Sequence, residues 1–292
     1  MEQPRVNTQT LSTNGSIGRG KISDDQFKFI KDYLASRYGL RIPPEKKTLL
    51  ESRLISRLNF LKLDTIDAYL DYIFHSKQPN NEYQFFIEQI TTHKTFFFRE
   101  NYQFAFIQKI LSSYLRNFTS NHQINIWSAG CSTGEEVYTL GMILNEMKTE
   151  IPNLDYKIIG TDISIPSLKK AAIGLFSTEL ENLPEHFRKK YFIETETSQG
   201  KALQFNSLEV TSKIQLGALN LNNAHYHLPL TFDFIFCRNV TIYFDAKTRN
   251  EVLSRIVEKL RPGGYLFLGH SETALGTSLP IKSVQPTIYQ RL

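Results

Sequence analysis

The order of apolar segments in the second part of the chain is the feature that most restricts the fold. Short apolar runs at Ile124–Trp127, Tyr156–Gly160 and Phe232–Phe236 alternate with stretches of helical periodicity. Strands that are separated by helices pair side by side in a doubly wound parallel sheet. An α/β domain of the Rossmann-like type is therefore predicted over residues 91–292, and residues 91–100 form the linker that leads into it.

The residues before this domain follow a different pattern. Residues 1–22 are polar and contain three glycines, so they are predicted to be a disordered tail. Residues 23–90 carry apolar side chains at helical spacing and predict a small all-helical domain. Its first helix is expected to begin with a capping box between Ser23 and Gln26 and to end at Gly39.

One segment interrupts the α/β pattern. Between about residues 191 and 219, three short β-like runs follow one another (KYFIE, ALQF and KIQL), and Gln199-Gly200 is a turn between two of them. Consecutive short strands joined by tight turns are typical of antiparallel pairing. We therefore expect an inserted antiparallel β-subdomain within the α/β domain.

Composition excludes several classes of protein. With 292 residues, 41% hydrophobic residues and 21 Phe, the chain has enough apolar surface for packed cores. Two cysteines cannot form a disulfide framework, and no apolar run approaches the ~20 residues of a membrane-spanning helix. No secretory signal is visible, so a cytoplasmic protein without membrane insertion is expected. The net charge of +5 permits an anionic partner, but a mildly basic surface is the commoner explanation of so small a value.

The turn after the first predicted strand carries the sharpest chemical signal. It has the sequence SAGCSTGEE, in which Gly130 and Gly134 allow a ligand to approach the backbone closely. A P-loop requires Lys after the last glycine, whereas this chain has Glu135 and Glu136. Two carboxylates at a helix N-terminus disfavour a phosphate and favour a positively charged ligand, such as an ammonium or a sulfonium. The alternative is a tight turn without a ligand.

A carboxylate at the end of the second predicted strand extends this site. Asp162 follows Gly134 by 28 positions, and an acidic residue there is placed to bind two ribose hydroxyls. The alternative is an ordinary N-cap for the next helix. Together, the glycine turn, Glu135 and Asp162 favour S-adenosylmethionine over NAD as the ligand.

Other motifs carry weaker signals. Arg99 ends three consecutive phenylalanines in the linker, where it either belongs to a buried joint or reaches the ligand crevice. Cys237 is predicted to be a small buried residue, and His225 and His227 lack further metal ligands nearby, so no metal site is expected. Nucleic-acid amino-methyltransferases have Asn/Asp-Pro-Pro-aromatic after the strand at 232–236, and this chain has no such motif.

The small domain concentrates positive charge. Between residues 21 and 62 there are ten Lys or Arg and five Asp or Glu. Lys46, Arg53 and Arg57 are spaced by seven and four, which places them on one stripe of a helix. A solvated helix face explains this pattern, and a docking surface for an acidic protein is the alternative.

These motifs resemble the CheR-type chemotaxis methyltransferases, which methylate glutamates on chemoreceptors. The resemblance extends from about residue 23 to the end and depends on TTHKTFFFRE, WSAGCSTGEEVYTL, GTDIS with AAIGLFS, FCRNVTIYFD and RPGGYLFLGHSE. It implies S-adenosylmethionine as methyl donor, S-adenosylhomocysteine as product and the methylation helices of chemoreceptors as partner. We expect a monomer that binds no nucleic acid.

The resemblance also implies roles for individual residues. Arg99 and Tyr243 match positions that serve catalysis, and Lys46, Arg53 and Arg57 become the expected receptor-binding surface. His93 stands where some relatives have Asn. The residues that match cofactor-contacting positions are His93, Thr95, Arg99, Glu135, Asp162, Asn220, Leu221, Cys237 and Arg238.

The inserted element departs from the family pattern. Relatives that bind a receptor's C-terminal pentapeptide have a glycine-rich loop there, whereas Glu194–Gly200 contains one glycine and two glutamates. An enzyme that does not depend on the pentapeptide is therefore predicted. Two other functions stay open. A nucleic-acid methyltransferase is opposed by the missing Pro-Pro motif, and a catalytically idle adaptor is opposed by the presence of Arg99 and Tyr243.

Overall fold

The computed structural model describes residues 21–75, 82–91, 94–115, 122–198 and 200–292. The chain divides into two compact units, residues 1–92 and 93–292. The predicted fold class is confirmed, because an all-helical unit precedes an α/β unit with a mostly parallel sheet and a small antiparallel sheet.

The first unit consists of four α-helices in its described part, and a short 3₁₀ turn precedes the second. Its helices are α1 (Asp24–Tyr38), α2 (Lys47–Leu61), α3 (Ile66–His75) and α4 (Glu82–Ile90). The capping box is present: Ser23 Oγ accepts a hydrogen bond from the Gln26 backbone N–H at 3.1 Å, and Gln26 Oε1 accepts from the Ser23 N–H at 2.8 Å. Gly39 ends α1 in the left-handed conformation, with φ 69°. Both signals therefore act as predicted.

The core of the first unit is formed by the apolar faces of its helices. Leu34, Leu54 and Tyr69 are fully buried, and Phe86 joins them from α4. Of the predicted tail, residues 1–20 lie outside the described residues. The prediction is wrong for Ile22, the last residue of that tail. Ile22 is buried, and its backbone N–H donates to the Glu51 carboxylate at 2.9 Å.

The second unit is built on a seven-stranded sheet with strand order β6-β2-β1-β7-β8-β10-β9. The first five strands in this order are parallel, and β10 and β9 are antiparallel to their neighbours. The strands of this sheet are β1 (His122–Ala129), β2 (Leu154–Asp162), β6 (Ile214–Ala218), β7 (Phe232–Cys237), β8 (Leu260–Leu268), β9 (Ile281–Gln285) and β10 (Ile288–Arg291).

The helices of the second unit connect these strands, as the alternating pattern predicts. They are α5 (Tyr102–Leu115), α6 (Glu135–Met147), α7 (Ile165–Ile173), α8 (Glu185–Tyr191), α9 (Leu208–Thr211) and α10 (Ala246–Lys259). All six residues of β7 are buried, as expected of a central parallel strand that is covered on both faces.

The antiparallel subdomain is present, but its strands differ from those predicted. It consists of β3 (Leu175–Ser177), β4 (Phe192–Thr197) and β5 (Gly200–Phe205) in the order β3-β5-β4. The run KIQL does not belong to it, because Ile214–Ala218 pairs in parallel with β2 at the edge of the main sheet. The subdomain instead takes its third strand from residues before 191, where Phe176 pairs with Leu203.

Candidate functional site

The candidate site lies where parallel strands β1, β2 and β7 end. β1 connects to β2 on one flank, and β7 connects to β8 on the opposite flank. The strand order therefore reverses between the neighbours β1 and β7. In open α/β sheets, ligands bind at the carboxyl ends of the strands at such a reversal. The glycine turn, Asp162 and Arg238 follow or end these three strands, so the topology brings these predicted residues to one edge of the sheet.

The glycine turn is tightly packed. Gly130 and Gly134 have φ of 95° and 101°, a region that side chains rarely adopt. A Cβ on Gly130 would lie 2.4 Å from Val240 Cγ2, and one on Gly134 would lie 2.9 Å from the Cβ of Ala171. Both positions therefore require glycine, for its backbone conformation and for space.

Asp162 holds the loops on either side of it. Its Oδ2 accepts a hydrogen bond from the Ser132 N–H at 2.8 Å, and its Oδ1 accepts from the Ser164 N–H at 2.9 Å. The N-cap of α7 is Ser164, whose hydroxyl accepts from the Ser167 N–H at 3.1 Å, so Asp162 is not the helix cap. Each carboxylate oxygen has a second lone pair, which leaves capacity for a ligand hydroxyl.

The first turn of α6 carries two carboxylates. Glu135 accepts a hydrogen bond from the Thr133 hydroxyl at 2.6 Å, and burial raises its pKa above the usual range. Glu136 accepts from the Ser128 hydroxyl at 2.6 Å and lies 3.5 Å from Arg238 Nε. Burial also raises the pKa of Glu136, against the opposing effect of Arg238. A positively charged ligand would stabilise the ionised form of such carboxylates.

Arg238 is a buried cation beside these carboxylates. Its Nη2 donates to the carbonyl of Arg99, and its Nε lies 3.7 Å from Glu100 Oε2. Within the described part of the chain, Arg238 Nη1 and Glu100 Oε2 are buried without a hydrogen-bond partner. Glu100 Oε2 and Arg238 Nε face each other as an ion pair. A buried polar group without a partner is costly, so Arg238 Nη1 is the atom that indicates a polar ligand.

The predicted linker, residues 91–100, contains Arg99 and Glu100, which contact Arg238. The structure describes residues 91 and 94–100 of it. Arg99 Nη1 donates to the Lys94 carbonyl at 2.8 Å, and its guanidinium lies 5.5 Å from the Phe96 ring centroid. Thr95 is half-buried. His93 lies outside the described residues.

The remaining predicted cofactor residues follow β6 or end β7. Asn220 Oδ1 accepts a hydrogen bond from the Asn222 N–H at 2.9 Å, and Leu221 is buried. Cys237 is the last residue of β7, and burial raises the pKa of its thiol well above the usual value. It is therefore a small buried residue rather than a nucleophile, as predicted.

Tyr243, in the loop after β7, and Glu272, between β8 and β9, belong to the same region. Tyr243 ends a 3₁₀ turn over Thr241–Tyr243 and is half-buried. Glu272, which the sequence analysis did not single out, accepts hydrogen bonds from the backbone of this loop. The available signal was an acidic residue four positions after the end of an apolar strand, in the segment GHSE.

The basic stripe of the helical unit is bonded within that unit. Arg57 forms a two-point ion pair with Glu82, and their side chains are 15% and 4% exposed. Arg53 Nη1 donates to the Gln89 carbonyl at 2.7 Å. Lys46 is half-buried. Arg57 and Arg53 are thus structural groups, and their predicted role in receptor binding stays a prediction.

The fold and the site together define the class of protein. A glycine turn, an acidic helix start and a strand-end carboxylate at the reversal point of a Rossmann-like sheet are the parts of a nucleoside-cofactor site. Within the described ranges, no helix is long and apolar enough to cross a membrane.

Comparison with known proteins identifies the family. Residues 93–289 match the family described as CheR methyltransferase, SAM binding domain, and residues 25–91 match the CheR methyltransferase all-alpha domain. The chain therefore belongs to the CheR methyltransferase family and is an S-adenosylmethionine-dependent methyltransferase, which confirms the resemblance and the predicted cofactor.

Curated relatives match both units. A chemotaxis protein methyltransferase of Borreliella burgdorferi is 34% identical over 98% of this chain and 100% of its own length. One of Escherichia coli is 36% identical over 86% of this chain and 85% of its own. Chemotaxis protein methyltransferase 2 of Pseudomonas aeruginosa is 33% identical, over 91% and 92%.

Proposed function

We propose that this enzyme transfers the methyl group of S-adenosylmethionine to glutamate side chains of chemoreceptors and forms methyl esters. The observation that carries the proposal is the match, over 98% of the chain, to a relative named chemotaxis protein methyltransferase. A substrate of this class presents its methylation helices to the cytoplasm, so the enzyme would act there without inserting into the membrane. A monomeric enzyme is proposed as well.

The cofactor would be held by the groups at the strand ends. Its amino-acid carboxylate matches the unpartnered Nη1 of Arg238, and its ammonium matches the carboxylate of Glu135. Asp162 would bind the ribose hydroxyls with the lone pairs that its two backbone bonds leave available. His93, Thr95, Asn220, Leu221 and Cys237 are proposed to line the same site.

The reaction requires little from acid–base groups. S-adenosylmethionine, when bound, supplies an electrophilic methyl group on a sulfonium. A substrate glutamate has a pKa of about 4.3 and is already a carboxylate nucleophile at neutral pH. The chain's own residues therefore have to orient that carboxylate and exclude water.

Arg99 and Tyr243 are proposed to orient the substrate. Arg99 would attract the carboxylate, and the Tyr243 hydroxyl would donate a hydrogen bond to it. We expect Tyr243→Phe to bind S-adenosylhomocysteine normally and to lose methyl transfer, whereas Tyr72→Phe, at an exposed tyrosine of the helical unit, serves as the control. Wild-type turnover of Tyr243→Phe would remove the catalytic role.

One assay tests the reaction itself. Purified enzyme is incubated with methyl-labelled S-adenosylmethionine and receptor-containing membranes, and the product is treated with mild base. We expect label on receptor protein that is released as methanol, because carboxylate methyl esters are base-labile. Base-stable label, or label on added nucleic acid alone, would contradict the proposal. If no acceptor is labelled although the cofactor binds, the result would support the alternative function, a catalytically idle adaptor.

We also infer that the enzyme works without a receptor C-terminal pentapeptide. Residues Glu194–Thr197, which the sequence analysis assigned to a loop, belong to β4, and Thr197 pairs with Gly200 of β5. Only two residues therefore separate the strands, which is short for a loop that wraps a peptide by β-augmentation. Glu196 is exposed on β4 and would repel an acidic peptide.

Calorimetric titration with a receptor-tail pentapeptide tests this inference. We expect no detectable heat at millimolar peptide, and micromolar binding would overturn it. Methylation of a receptor with and without its last five residues is the matched functional comparison. Equal rates are expected for the two receptors.

A further inference from the structure

A buried carboxylate outside the cofactor motifs holds the loop that carries Tyr243. Glu272 is 6% exposed and lies between β8 and β9. Six hydrogen bonds reach its carboxylate. The donors to Oε1 are the N–H groups of Val240 (3.0 Å), Thr241 (2.7 Å) and Ile242 (3.3 Å) and the Thr241 hydroxyl (2.8 Å). The donors to Oε2 are the N–H groups of Asn239 (2.7 Å) and Gly269 (2.6 Å).

These bonds constrain an unusual backbone. Asn239 has φ 58°, in the left-handed region, and a 3₁₀ turn follows at Thr241–Tyr243. Four successive N–H groups, from Asn239 to Ile242, converge on one carboxylate. Such N–H groups at the start of a helical turn have no partner within the turn, and hydrogen bonds to an anion are about twice as strong as neutral ones.

Gly269 packs closely against the loop that Glu272 holds. A Cβ on Gly269 would lie 2.5 Å from Asn239 Nδ2 and 2.8 Å from Glu272 Oε2. No side chain fits between the two loops without displacing one of them. The segment 269–272 and the segment 239–243 are therefore held in one arrangement.

We propose that Glu272 is a positioning residue for methyl transfer: it holds residues 239–243 so that the Tyr243 hydroxyl meets the substrate carboxylate. This inference rests on the proposed catalytic role of Tyr243. The physical reason is that a misplacement of about 1 Å in a reacting constellation lowers a rate by about a hundredfold. Neither oxygen of Glu272 needs to touch the substrate for this effect.

Glu272→Gln provides the direct test. Its amide nitrogen would face at least two N–H donors in either orientation, because Oε2 accepts two and Oε1 accepts four bonds. We expect hydrogen exchange of the amides 239–242 to accelerate at least about tenfold, since each 1.4 kcal/mol of lost protection corresponds to a factor of ten. The control is Glu251→Gln, at an exposed position of α10.

The kinetic readout separates positioning from stability. In Glu272→Gln, kcat should fall at least about tenfold while the Kd for S-adenosylhomocysteine changes little, both measured well below the variant's melting temperature so that the protein is folded. In a Tyr243→Phe background the same substitution should change the residual turnover, measured with excess enzyme and labelled S-adenosylmethionine, by less than about twofold, because the two residues act through one step. An equal loss in both backgrounds would overturn the proposal.

A second variant covers the case in which Glu272→Gln does not fold. Gly269→Ala keeps the carboxylate but presses a methyl group against Asn239 and Glu272, and it should give the same exchange and kcat pattern. Unchanged exchange at 239–242 in a folded variant refutes the positioning role whatever the substrate is. If Tyr243→Phe keeps wild-type turnover while exchange accelerates, the proposed catalytic role of Tyr243 fails and the positioning role fails with it, whereas the hold on the loop stands.

Discussion

The ion pair between Arg57 and Glu82 allows a direct test of whether the basic stripe binds a receptor or stabilises the helical unit. Arg57 Nε donates to Glu82 Oε1 at 2.8 Å, and Nη2 donates to the other carboxylate oxygen. The Tyr69 hydroxyl donates to Glu82 Oε1, also at 2.8 Å. The Arg57 guanidinium lies 4.6 Å from the Phe60 ring and 4.3 Å from the Phe85 ring.

These contacts determine how much Arg57→Ala should destabilise the helical unit. Two hydrogen bonds between charged groups contribute about 1.5–3 kcal/mol each, and each cation–π contact contributes about 0.5–1 kcal/mol. Arg57→Ala removes all of them and leaves Glu82, which is 4% exposed, as a buried unpaired charge. Breaking a buried pair from one side costs about 3–5 kcal/mol. Because Arg57 is 15% exposed and water reaches part of it, we expect about 3 kcal/mol.

Hydrogen exchange of α2 and α4 measures this cost. A loss of about 3 kcal/mol accelerates exchange by about two orders of magnitude in the helical unit. Arg41→Ala, at an exposed arginine of the same unit, is the control. The double variant Arg57→Met, Glu82→Gln should be less destabilised than either single variant, because it removes both charges and keeps an acceptor for Tyr69.

The opposite result supports receptor binding. If Arg57→Ala exchanges like the wild type and the KM for receptor rises, Arg57 is a receptor contact, as the sequence analysis expected. Reversal of Arg57 to Glu is a poor test of that role, since it would place a second carboxylate beside buried Glu82.

Three further predictions concern the cofactor site. Asp162→Asn should weaken S-adenosylhomocysteine binding by about 1.5–3 kcal/mol, and unchanged affinity in calorimetry would remove Asp162 from the site. Because burial raises the pKa of Glu135, it takes up a proton at a higher pH than an exposed glutamate, so affinity should fall as pH decreases, and the fall should begin at a higher pH than an exposed glutamate would give. Glu135→Gln should reduce that dependence, and a flat wild-type profile would contradict it. Arg238→Lys should lower affinity about tenfold, since an ammonium lacks the planar fork, and wild-type affinity would show that the fork is not used.

Much of the local structure follows from neighbouring residues. Ser23, Gln26 and Gly39 set the ends of α1 because caps depend on contacts within one helical turn. The alternation of apolar strands and helices predicts the parallel sheet because each segment's periodicity reports its own buried face. The predicted cofactor residues Glu135 and Asp162 could be placed at one site for the same reason, since the ends of parallel strands meet at one edge of the sheet. Arg238 was assigned there only by the resemblance to the CheR-type family.

Strand pairing and charge burial depended on the tertiary structure. The pattern of Ile214–Ala218 identifies a strand, but only contacts across the chain decide that it pairs with β2 instead of β5. Arg57 and Glu82 are 25 positions apart, and Glu272 and Thr241 are 31 apart. Helical spacing places Arg57 on a stripe but does not show that a buried carboxylate lies opposite, and no local pattern brings the amides 239–242 to Glu272. The sequence by itself thus determined the ends of α1 and the alternation of strands and helices, whereas packing decided the third strand of the subdomain and which charged groups the elements enclose.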